Sequence, residues 1–60
     1  MKPSQIGIEK ATAWLTPERL YRINALRERA GAEPWDMELC LDHLRFFTWD
    51  DFRQLVERVE

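Results

Sequence analysis

Sixty residues suffice for one domain and leave no room for a second, so every element has to share a single core. One cysteine, Cys40, rules out an intrachain disulfide, and one histidine, His43, rules out a closed zinc site of the common Cys/His kind. A net charge of −2 argues against a chain that holds nucleic acid through its overall field, and no apolar run reaches the roughly 18 residues of a membrane span.

Stability must therefore come from helix packing, for which three tryptophans and three phenylalanines supply large apolar side chains. The first five residues, Met1-Lys2-Pro3-Ser4-Gln5, lack the hydrophobic stretch of a secretory signal, so a cytoplasmic location with no membrane partner is expected.

Taken in chain order, residues 1–14 read as an N-terminal arm or a short extra helix. Ile8, Ala11 and Leu15 share a helical face, whereas Gly7 and the near-alternation of Ile6 and Ile8 permit an extended arm. The next element opens on Leu15-Thr16-Pro17-Glu18-Arg19-Leu20. Thr16 suits the cap, Pro17 the first helical position, and Leu15 can staple onto Leu20. This helix runs over residues 17–30 with Leu20, Ile23, Leu26 and Ala30 inward, and Gly31 offers a left-handed stop.

A central helix is predicted over residues 34–46, with Pro34 at its first position and Met37, Cys40, Leu41 and Leu44 on its core face. The last helix opens on Phe47-Thr48-Trp49-Asp50-Asp51-Phe52. Thr48 caps it, Asp51 reciprocates, and Phe52, Leu55, Val56 and Val59 form the buried stripe. Short connections between such helices imply a compact all-α three-helix bundle comprising residues 15–60.

The run Leu26-Arg27-Glu28-Arg29-Ala30-Gly31-Ala32, followed by Asp36 and Leu41, resembles the N-terminal domain of elongation factor Ts, a ubiquitin-associated-like three-helix fold. The resemblance spans residues 15–59 and implies that fold and, as such folds commonly serve, a protein-binding role. This chain departs from the pattern at Ala30, where threonine is usual, and at Glu33-Pro34-Trp35. It also lacks the methionine-glycine-phenylalanine loop of ubiquitin-binding relatives, so neither an elongation factor nor ubiquitin is carried over as a partner.

Candidate chemistry is thin. Cys40 and His43 stand three apart with Asp36 one turn earlier, but Cys40 falls on the core stripe, where a free cysteine behaves as a small hydrophobe. No oxyanion device, glycine loop or second histidine accompanies them, so neither an enzyme nor a cofactor is expected. Glu38 and Asp42, four apart, read as a solvated face, and Asp50 and Asp51 as helix-start charges.

Two features bear on partners. The predicted helix over residues 17–30 carries Arg19, Arg22, Arg27 and Arg29, which would let a nucleic-acid accessory protein touch phosphates through Arg22 and Arg29. The acidic openings of the later helices oppose that alternative. The central helix, meanwhile, carries a second apolar stripe at Trp35, Leu39, His43 and Phe46. One small core covers a single face of it well. The second face must be met by the N-terminal residues Ile6, Ile8 and Trp14, by a second copy of the chain, or by a partner. The preferred expectation is a small interaction module or regulator. It would dock a protein with Trp35, Leu39 and Phe46 as anchors and Arg22 and Arg29 at the rim.

Overall fold

The computed structural model describes residues 4–60, so the first three residues of the predicted arm lie outside the described residues. Four helices follow in order: α1 (Gly7–Trp14), α2 (Pro17–Arg29), α3 (Met37–Leu44) and α4 (Trp49–Val59). The all-α class holds: α2, α3 and α4 are the three main helices expected, and α1 is the short extra helix ahead of them, making four among the described residues. Only one isolated bridge, Gln5 with Thr48, joins extended segments among the described residues.

Local chemistry accounts for the helix ends. Thr16 accepts a hydrogen bond from the Arg19 N–H at 3.2 Å, with Pro17 behind it at the first helical position. At the far end Gly31, at φ 76°, turns the chain. The Ala32 N–H then donates to Arg27 O at 2.8 Å and the Gly31 N–H to Glu28 O at 3.0 Å. These two bonds form a Schellman stop. The predicted inward residue Ala30 is exposed, because it sits at the cap where this turn leaves the helix. In α4 the capping box is complete, with Thr48 and Asp51 each accepting from the other's backbone N–H.

The central helix starts and stops inside its predicted bounds. It begins at Met37, not Pro34, because Asp36 is the cap and its carboxylate accepts from the Leu39 N–H at 2.7 Å. A helix from Pro34 would have given that N–H the Trp35 carbonyl instead. That carbonyl is taken by Asn24, whose side-chain amide donates to Trp35 O and accepts from Trp35 N, both at 2.8 Å. The helix ends at Leu44 and the chain turns through Arg45 and Phe46. Trp35 is thus a loop residue, and the second stripe lies only partly on a helix.

The core takes a residue or two from every element: Ile6, Ala11, Leu15, Ile23, Cys40, Leu44 and Val59. Trp14, Leu20, Leu26, Trp35, Met37, Leu41, Phe47, Phe52 and Leu55 pack half-buried around it. The N-terminal residues enter in both of the ways considered. Ile6 donates its N–H to Phe47 O at 3.0 Å in an extended approach, and Gly7, at φ 78°, turns the chain into α1. Ala11 is fully buried, and its small side chain lets α1 lie close against α3. Trp14 does not cover the α3 stripe. Its ring meets Phe52 of α4 edge-on at 5.1 Å, with the Arg19 guanidinium 5.1 Å from the ring centre. None of the described helices is long and apolar enough to cross a membrane.

Candidate docking surface

The two faces of α3 differ sharply. Cys40 and Leu44 are sealed inside, while Leu39 is 43% exposed and Phe46, just past the helix, 55%. Across from them on α1, Ile8 is 47% exposed. The N-terminal segment therefore covers part of the surplus through Ile6 and Ala11 and leaves the rest open.

Between α1 and α3 runs a solvent-open groove of about 590 Å³ lined by Ile8, Leu39 and Leu41 together with Asp36, Glu38, Asp42 and Arg45. Arg45 lies 3.3 Å from the Asp42 carboxylate, and its guanidinium is 4.7 Å from the Phe46 ring centre. Asp36 keeps one oxygen on the Leu39 N–H. Glu38 makes no ion pair among the described residues.

Trp35 is held, not free. Asn24 fixes its backbone, the Arg27 guanidinium lies 3.8 Å from its ring centre, and the His43 imidazole stacks on it at 4.4 Å and 10°. Arg27 also donates to Glu33 O at 2.7 Å, so two α2 side chains pin the loop that leads into α3. The indole is half-buried in this arrangement. It braces the end of the exposed strip and presents only part of its ring.

The expected arginine rim is not assembled. Arg22 donates to Val59 O and to Glu18, both at 3.1 Å, and so joins α2 to the end of α4. Arg29, seven residues on, shares the Arg22 side of the helix, whereas Asn24 is two residues from Arg22 and hence about 160° round. The arginine beside Trp35 is Arg27. Its spacing of three from Asn24 puts both on one side of α2, but the partner of Asn24 lies eleven residues away across a loop, which no local pattern marks. Of the four α2 arginines, Arg19 also bonds Trp14 O, at 2.7 Å, and pairs with Glu60.

Asp36, Cys40 and His43 are spent separately, on a helix cap, on the core and on Trp35. Burial pushes the Cys40 thiol above its ordinary value of 9.0, against the lowering effect of the Arg27 charge. No group of three His, Cys, Asp or Glu among the described residues could hold a metal ion. Comparison with protein families, curated proteins and solved structures finds no match to this chain.

Proposed function

We propose that this chain is a small non-catalytic interaction module that docks a protein partner through the outer side of α3 and the adjoining edge of α1. Leu39 and Phe46 are the apolar anchors and Ile8 extends the surface. Trp35 braces it, and Arg22 and Arg29 belong to another side of the molecule. The observation that carries the reading is that Leu39 and Phe46 stay about half exposed around a helix whose opposite face already closes the core. Contact with phosphates through α2 draws less support, because Arg19, Arg22 and Arg27 are engaged with carbonyls and carboxylates of their own chain.

Photocrosslinking in the producing cell tests this reading. Benzoylphenylalanine at position 39 or 46 should give a discrete adduct with a partner, and the same group at Glu57, on α4, should not. Equal labelling from all three positions, or none from 39 and 46, would contradict it.

A further inference from the structure

We propose that the groove between α1 and α3 receives a basic amphipathic segment of a partner protein, with apolar residues at helical spacing flanked by Lys or Arg. This rests on the docking role proposed above and adds the chemistry of the occupant. Three of the lining residues, Ile8, Leu39 and Leu41, are apolar and ask for apolar side chains. Among them stand three carboxylates, Asp36, Glu38 and Asp42, against one guanidinium, Arg45, which already lies against Asp42 and Phe46. A groove so lined attracts cations and repels acidic segments and nucleic-acid phosphates.

A second copy of the chain fits poorly for the same reason. Of its other exposed large apolar residues, Tyr21 stands alone on α2, and Trp49 opens α4 directly beside Asp50 and Asp51. Seating that face in the groove would set carboxylate against carboxylate. The groove is also open to solvent, which suits a side-chain ridge better than an enclosed small molecule.

The test is selection of displayed helical peptides of about 14 residues on the immobilised full chain, followed by titration of the selected peptides in solution. Three proteins are compared: the wild type, Leu39→Gln, and the triple variant Asp36→Asn, Glu38→Gln, Asp42→Asn, in which asparagine preserves the helix cap. Selected sequences should be rich in Lys and Arg beside an apolar stripe. Their affinity should fall about tenfold or more in either variant, and in the wild type as salt rises from ~50 to ~300 mM. Selection of neutral or acidic peptides, or equal binding by the triple variant, overturns the basic partner. The docking reading survives that result if Leu39→Gln still abolishes binding. Peptides indifferent to Leu39→Gln, or an empty selection, overturn both. A micromolar self-association abolished by Leu39→Gln would make the occupant a second copy and overturn this inference alone.

Discussion

Asn24 holds the loop before α3 by both sides of one residue, accepting from the Trp35 N–H and donating to its carbonyl. Asn24→Ala leaves both groups in a half-buried place without their partner, so urea unfolding should show a loss of about 1–3 kcal/mol. Asn24→Asp should be no milder at neutral pH, because a carboxylate faces the carbonyl that the amide served. Cys40 is the second informative residue, fully enclosed and with its thiol pKa raised by burial. Below about pH 9 both folded and unfolded chains keep this proton, and stability is unaffected by it. Above that, the unfolded chain releases the proton while the folded chain retains it, so stability falls as pH rises through the folded value. Cys40→Ala should remove this part of the alkaline loss, read as a shallower decline of Tm above pH 9 relative to wild type. A thiol reagent should label native Cys40 only as fast as the protein opens.

At the scale of elements, the strongest features are the caps. Thr48→Ala removes one half of the α4 capping box and should cost about 1 kcal/mol by denaturant titration. Gly31→Ala places a side chain at φ 76° and should cost about 1 kcal/mol with no steric contact to add to it. Both sites are legible in the sequence, since a cap or a left-handed stop is decided within four or five residues of chain. Pro34 misleads for the opposite reason. It is a sound first helical residue by local rules, but Asn24, eleven residues away from Trp35, claims the backbone groups a helix there would need. The N-terminal segment is similarly undecided by local rules. Gly7 allowed either an arm or a helix, and the hydrogen bond from Ile6 to Phe47, across most of the chain, fixes a short bridge followed by a helix.

Across the whole molecule, the apolar surplus is visible in the sequence as the stripe Trp35, Leu39, His43 and Phe46, while the groove is not. It depends on α1 lying against α3 through Ala11, which sets Ile8 beside the solvated face at Glu38 and Asp42. The misplaced rim has the same origin. Four arginines lie within α2, and only its packing against the loop before α3 assigns the neighbour of Trp35 to Arg27. The physical basis of the docking role is that the fold closes without Leu39 and Phe46. Equilibrium urea unfolding of Leu39→Gln and Phe46→Gln measures this directly, and glutamine also suits position 39 as the third residue after the Asp36 cap. Each variant should keep its unfolding free energy within about 1 kcal/mol of wild type, as for surface positions. A loss of about 2–5 kcal/mol in either, the range of emptied core sites, would place that side chain in the interior and contradict the docking surface.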